Sequence, residues 1–327
     1  MTLDVVPLGR TGTKVAEIAL GTWRFGRETD AGEVEVGRGR AFELLDAYAD
    51  HGGNFIDTAD GYGGGTAEEL IGDWLQGRDR ERFVIATKIY WPTDPDDPNA
   101  RGLNRNHLRR QLEVSLDRLR TDYVDLLYIH RWDDDTPVDE FMRTLSGFVD
   151  DGRVTYLGAS TKAPNAWQVV RANELARREG YVPFVVTQPR YNLVHREIEE
   201  NYLEMCRTYG LGVASWSPLA GGVLTGKYER DETPPAGTRA GDYARFAERY
   251  LEAAAFDVVD EVVAVAAAVG ATPAQVALAW LLHHPDVTAP IVGARTVDQL
   301  EEDLGATAVD LGDDEVERLT AARPGRG

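Results

Sequence analysis

Four side chains that could jointly move a proton stand at or near the ends of short apolar runs. Asp57 closes Asn54–Asp57, Lys88 closes Phe83–Lys88, and His130 closes Tyr123–His130; Tyr62 follows in the loop after Asp57. A phenol is a weak acid, with a reference pKa of about 10. An ammonium beside it favours the phenolate and is expected to lower that value. A carboxylate beside the ammonium offsets the cost of burying its charge, and an imidazole offers a hydrogen bond to a substrate oxygen. Together the four would make a proton donor for a carbonyl oxygen, with an electrostatic cradle for the alkoxide that develops there. None of them can supply a hydride, so the redox half of such chemistry requires a cofactor. Taken singly each has a plainer reading: Asp57 as the cap of a turn, Lys88 as a rim lysine, His130 as a satisfied rim histidine. Their placement at the ends of consecutive strands favours the catalytic reading.

The pattern along the chain supplies those strands. Short apolar runs at Ile18–Gly21, Asn54–Asp57, Phe83–Lys88, Tyr123–His130, Val154–Ala159, Phe184–Gln188, Gly212–Trp216 and Ala289–Gly293 read as strands. Between them, Gly39–His51, Ala67–Leu75, Asn106–Leu119, Val138–Asp150, Asn165–Arg178 and Glu197–Tyr209 have helical periodicity. Two further helices are expected near Glu252–Val269 and Pro273–His283, and Val297–Leu304 follows the last strand. Strands alternating with helices imply a parallel sheet, and nearly continuous apolar strands imply cover on both faces. Eight such units predict an α/β fold, a (β/α)8 TIM barrel, with a doubly wound open sheet as the rival. Arg10-Thr11-Gly12 signals an N-terminal β-hairpin that could plug the barrel floor. No linker divides residues 1–327, so one domain with extra helices near the C-terminus is expected. The Pro/Gly-rich stretch Glu229–Gly241 reads as a long active-site loop.

Composition narrows the function. The 327 residues carry a net charge of −20, which repels nucleic acid and anionic membrane surfaces. Of the 35 basic residues only Lys14, Lys88, Lys162 and Lys227 are lysines, a balance that suits either life in concentrated salt or a GC-rich codon bias. A single cysteine, Cys206, excludes an intramolecular disulfide framework. No apolar run approaches a membrane span and no signal peptide opens the chain, so a cytoplasmic location is expected. Gly221–Lys227 nearly matches a nucleotide-hydrolase phosphate loop, but Tyr228 stands where a Ser or Thr must hold magnesium. Gly210–Ser215 leads into a strand rather than out of one, as a dinucleotide fingerprint would. His283 and His284 are adjacent and would diverge on a helix. Gly158–Lys162 fails as a serine elbow, and no His/Glu spacing fits zinc, so no metal is expected.

Several ordered motifs resemble the aldo-keto reductase family. They are Asn54–Gly63 (NFIDTADGYG), Ile85–Lys88, Tyr123–His130, Trp216–Tyr228 (WSPLAGGVLTGKY) and Ile291–Leu300. The resemblance runs from about Pro7 to Leu319. It implies a barrel that interconverts carbonyls and alcohols with NADP(H), acting on a small-molecule carbonyl substrate. Tyr62 would be the general acid, with Asp57, Lys88 and His130 around it. Gly21, Thr22, Trp23 and Asp57 would lie by the cofactor, and Ser160 and Gln188 would hold the nicotinamide carboxamide. Trp216 would stack on the nicotinamide, while Ser217, Pro218, Leu219, Gly221, Gly222 and Lys227 form the cofactor loop. Gly293 and Arg295 belong to the adenosine-phosphate loop, with Arg295 meeting the 2′-phosphate; the plainer reading pairs Arg295 with Asp298 or Glu302. Gln299, Glu302 and Asp303 would line the adenine side. Thr161 and Asp303 stand where relatives commonly carry Asn. A carboxylate near the 2′-phosphate weakens NADP(H) preference and brings NAD(H) in as a second cofactor. Trp23, Tyr62, Trp91 and His130 would face the substrate. The alternative is a cofactor-binding regulatory subunit with little turnover, since some relatives of this fold attach to ion channels.

Overall fold

A computed structural model of the chain describes residues 2–230, 232–243, 246–247 and 250–323. Strands β1 (Val5–Pro7) and β2 (Lys14–Ala16) pair antiparallel as the expected hairpin. Eight strands then close on themselves: β3 (Ala19–Gly21), β4 (Phe55–Asp57), β5 (Val84–Ile89), β6 (Val124–Ile129), β7 (Val154–Ala159), β8 (Phe184–Thr187), β9 (Gly212–Trp216) and β10 (Ala289–Val292). All neighbours are parallel, and β10 returns to β3. The arrangement is the (β/α)8 barrel, and the open sheet is excluded. Register places Gly21 beside Asp57, Asp57 beside Ala86, and Lys88 beside Tyr128. Successive strands therefore deliver Asp57, Lys88 and His130 to one end of the barrel.

Helices α1 (Arg38–Asp50), α2 (Thr66–Leu75), α3 (Arg105–Leu119), α4 (Val138–Asp150) and α5 (Ala166–Glu179) follow successive strands, from β3 to β7. Each turns an apolar stripe inward: Leu44, Leu45 and Tyr48 on α1, and Leu108, Leu112, Leu116 and Leu119 on α3, are buried. The helix expected over Glu197–Tyr209 is broken. A 3-10 turn spans Glu197–Glu199 and α6 spans Tyr202–Tyr209, because Asn201 leaves the helical region at φ −152°. Helices over Ala253–Val269, Pro273–His283 and Val297–Leu304 match expectation within a residue. A further helix, Asp313–Ala321, carries three acidic residues in its first turn, where the helix dipole favours them. The loop after β9 contains a short helical turn, Arg239–Asp242, which Thr238 caps. Among the described residues no single helix is long and apolar enough to cross a membrane, and no group of three His, Cys, Asp or Glu could hold a metal ion.

Two packed layers result. The larger lies between barrel and helices. The smaller fills the barrel interior, where Phe55, Leu126, Tyr128 and Val186 meet Leu8 and Val15 of the hairpin segment. The hairpin therefore closes the floor. Its docking depends on Gly9, whose φ of +54° is left-handed and whose added Cβ would lie 2.3 Å from the Val185 carbonyl oxygen. Arg10 N–H also donates to the Gly210 carbonyl at 2.9 Å. Gly9→Ala is expected to destabilise the protein by roughly 1–3 kcal/mol, seen as a lower urea midpoint with an unchanged m-value.

Candidate active site

Lys88 is the centre of the constellation. Its side chain is fully buried, and its Nζ donates to Asp57 Oδ2 at 2.6 Å, to the Thr58 carbonyl at 2.7 Å and to the Tyr62 hydroxyl at 3.1 Å. All three donor positions of the ammonium are used. Gln188 Nε2 donates to the second Asp57 oxygen at 2.7 Å, and the hydroxyl of Thr22 donates to the Asp57 carbonyl at 3.0 Å. Tyr62 is carried by a tight turn in which Gly63, Gly64 and Gly65 have φ of 57°, 66° and 106°. Only glycine adopts such a run cheaply. His130 stands one residue past β6, with its ring edge-on to Tyr62 at 5.8 Å, and Trp91 stands edge-on to His130 at 6.0 Å. Trp91 is 43% exposed.

The electrostatics correct one expectation. Burial raises the Tyr62 phenol above its ordinary value; the Lys88 ammonium pulls it down without reversing the shift. The phenol therefore stays protonated over a wide pH range. Burial is the largest influence on Lys88 and opposes its charge, but Asp57 and Tyr62 together outweigh it and keep the ammonium charged. Burial and then the Lys88 charge hold the His130 imidazole well below the usual histidine range, so it is neutral. Its buried Nδ1 has no hydrogen-bond partner.

The other predicted residues gather along the same rim. Ser160 Oγ donates to the Gln188 carbonyl at 3.1 Å, and Thr161 contacts the Tyr202 hydroxyl at 2.7 Å. Gln188 spends its amide N–H on Asp57. In the turn after Trp216, Ser217, Ala220, Gly221 and Gly222 all have positive φ. The two non-glycine residues there carry backbone strain of the kind that clusters at functional sites. Pro218 is buried and Leu219 half-buried within this turn. Lys227 folds back over Gly222, where an added Cβ would meet Cε and Nζ at 2.8 Å. Gly293 is exposed at the end of β10, and Gln299 Oε1 accepts the Arg295 N–H at 3.0 Å. The plainer pairing expected for Arg295 is not made. Its guanidinium contacts Asp242 at 3.2 Å and the Gly237 carbonyl, not Asp298 or Glu302. Asp303 is buried, and burial, with Glu302 next, raises its carboxyl to about 7.

Three arginines complete this region that sequence reasoning missed. Arg24 is buried and paired with Glu35; Arg27 lies over the Trp23 ring at 3.7 Å; Arg239 is clasped between Trp23 at 4.2 Å and Phe246 at 4.1 Å. Burial and then the Arg24 charge lower Arg239 to about 9. Partial burial, then Arg24 and Arg295, lower Lys227. Such cations repel one another until an anion joins them.

A family model described as the aldo/keto reductase family matches residues 17–324. The chain belongs to that family. Among its relatives, the uncharacterised oxidoreductase YrpG of Bacillus subtilis is 40% identical, over 99% of this chain and 97% of its own. A probable voltage-gated potassium channel subunit beta of Oryza sativa is 38% identical, over 92% and 90%. Norsolorinic acid reductase stcV of Emericella nidulans is 37% identical, over 96% and 79%.

This aldo/keto reductase is an NAD(P)H-dependent oxidoreductase, and its residues fit such a cofactor. The buried Nε atoms of Arg24, Arg27 and Arg239 lack hydrogen-bond partners. Together with Lys227 and Arg295 they form a cationic basin on a chain of net charge −20. A pyrophosphate-bearing ligand would offer acceptors to such a basin. The buried Lys88–Asp57 ion pair makes its own demand. Removing one partner of such a pair costs about 3–5 kcal/mol. Lys88→Met is expected to lose that much in urea unfolding, and adding Asp57→Asn to recover most of it.

Proposed function

We propose that the chain is a single-domain, cytoplasmic NADP(H)-dependent reductase of aldehydes and ketones, reversible to alcohol oxidation, with Tyr62 as its general acid. The observation that carries this reading is the buried Lys88 ammonium, which touches both the Asp57 carboxylate and the Tyr62 hydroxyl. Bound nicotinamide supplies the hydride chemistry. The chain's residues do the rest. A carbonyl oxygen admitted between Tyr62 and His130 meets a phenol that donates a proton as charge develops. Lys88 stabilises the phenolate left behind, and Asp57 with Gln188 keeps Lys88 in place. Neutral His130 offers a hydrogen bond to the same oxygen. Trp23 and Trp91 wall the pocket and exclude water from it.

For the cofactor, Ser160 and Gln188 would hold the carboxamide and Trp216 would stack on the nicotinamide ring. The strained turn from Ser217 to Gly222, with Lys227 and Arg239, would hold the pyrophosphate. Arg295 would hold the 2′-phosphate, and Gln299, Glu302 and Asp303 would border the adenine. Asp303, held near neutral, limits the penalty that a carboxylate imposes on the 2′-phosphate and leaves NAD(H) usable. The acidic surface argues against nucleic acid and anionic membrane as partners.

A second reading has a specific basis in the relative named as a potassium channel subunit. A regulatory subunit would bind cofactor and turn over little. Steady NADPH oxidation with a panel of aldehydes separates the two: multiple turnovers support the enzyme, and a single equivalent of product with no further turnover supports the subunit.

Tyr62→Phe is expected to lower kcat for reduction by about 10²–10⁴-fold with NADPH affinity unchanged. Because the phenol pKa is raised, the wild-type rate should hold through neutral pH and fall only as pH climbs past about 10. A Phe variant within threefold of wild type overturns the assignment. Arg295→Ala is expected to weaken NADPH by roughly 1.5–3 kcal/mol and NADH hardly at all, measured by fluorescence titration. Equal losses would make Arg295 a support for the Gly237–Asp242 loop rather than a phosphate reader.

A further inference from the structure

Behind the Tyr62 turn lies a second buried ionic cluster that proton donation does not use. Glu68, on α2, has no exposed surface, and Asp60 is 2% exposed. Glu68 accepts from the Thr87 hydroxyl at 2.6 Å, one residue before Lys88, and from Arg118 Nη1 at 3.3 Å. The same Arg118 nitrogen, reaching in from the end of α3, donates to the backbone carbonyl of Asp60 at 3.0 Å. It takes that main-chain oxygen and not the buried Asp60 carboxyl, which burial and then the Glu68 charge drive well above the usual carboxylate range. On the other side, Asp60 N–H donates to the Lys88 carbonyl at 3.1 Å. Asp60 is thereby pinned from two elements at once, two residues before the phenol. The guanidinium also lies flat against Gly65: an added Cβ there would come within 2.3 Å of Arg118 Cζ.

We propose that the Glu68–Arg118 pair is a positioning device for Tyr62, clamping Asp60 and Gly65 at the two ends of the glycine turn so that the phenol is held against Lys88. Glu68 is fully buried and Arg118 is 24% exposed, and such a pair is weak evidence of stabilisation by itself. The segment it holds needs an external clamp, since three consecutive left-handed glycines impose almost no conformational preference of their own. Glu68 fixes the guanidinium, the guanidinium fixes the backbone, and the backbone fixes the phenol. A drift of about 1 Å at a reacting group costs on the order of 100-fold in rate.

This inference rests on Tyr62 being the proton donor, and a double-mutant cycle tests both separately. In the full chain with NADPH and benzaldehyde, Arg118→Met is expected to lower kcat by about 100-fold, with NADPH affinity within twofold. The same substitution made in Tyr62→Phe should change the residual rate less than threefold, because a clamp on an absent hydroxyl has nothing to place. Arg118→Lys, which can still reach the Asp60 carbonyl, should recover at least tenfold over Met. Equal losses in both backgrounds, or no loss in either, overturn the clamp. Undiminished turnover by Tyr62→Phe alone overturns the underlying assignment instead. Should Arg118→Met fail to fold, Glu68→Gln replaces it in the cycle. It frees the guanidinium while keeping the side-chain shape, and a loss of kcat confined to the Tyr62 background supports the clamp, whereas equal or no losses overturn it.

Discussion

The burial of one ammonium organises this molecule. Lys88 sits inside the barrel wall without solvent, and a charge there is tolerable only if every donor is met. Asp57, the Thr58 carbonyl and Tyr62 meet them. That requirement fixes the neighbouring strand β4 in register, the turn that follows it, and, through Gln188, the far side of the barrel at β8. A parallel barrel suits the demand because it brings strand ends distant in sequence to one small ring. The apolar layers supply the rigidity, and the ion pair decides which residues must face one another.

A second balance of charge operates a short way along the rim. The chain is strongly acidic, yet Arg24, Arg27, Arg239, Lys227 and Arg295 converge where the loops after β3, β9 and β10 meet. Trp23 and Phe246 hold two of those guanidiniums by their ring faces, which needs no counter-charge. Arg24 and Arg295 are offset by Glu35 and Asp242, whereas Arg27 and Arg239 lie against ring faces. Lys88 is satisfied by the Asp57 carboxylate at close range, while the basin meets part of its charge with aromatic faces.

Much of this was legible in the sequence. Eight apolar runs with helical stretches between them pointed to a closed barrel over an open sheet, and helix bounds such as Val138–Asp150 and Pro273–His283 agree with the structure. Asp57, Lys88 and His130 stood out because ionisable residues seldom close apolar strands, and Tyr62 because it follows Asp57 in the adjoining loop. Other features left no such mark. Arg24, Arg27 and Arg239 are three among many arginines, and their convergence depends on how two loops fold over each other. The break at Asn201 and the helix Asp313–Ala321 depend on tertiary packing more than on periodicity. The direction of the Tyr62 shift was misjudged because spacing reveals the nearby ammonium but not the depth of burial that outweighs it.

The scarcity of lysine has a practical side. With Lys88 sealed in the wall, the lysines open to amine-directed chemistry are Lys14 on the hairpin, Lys162 after β7, and Lys227 in the basin. The first two are exposed and offer points of attachment to a surface or a dye. Lys227 differs: its depressed basicity makes it the more nucleophilic amine near neutral pH, and any polyanion filling the basin would cover it. Its acylation rate is therefore an optical-label-free gauge of whether the basin is full, built from a residue that the chain uses only four times.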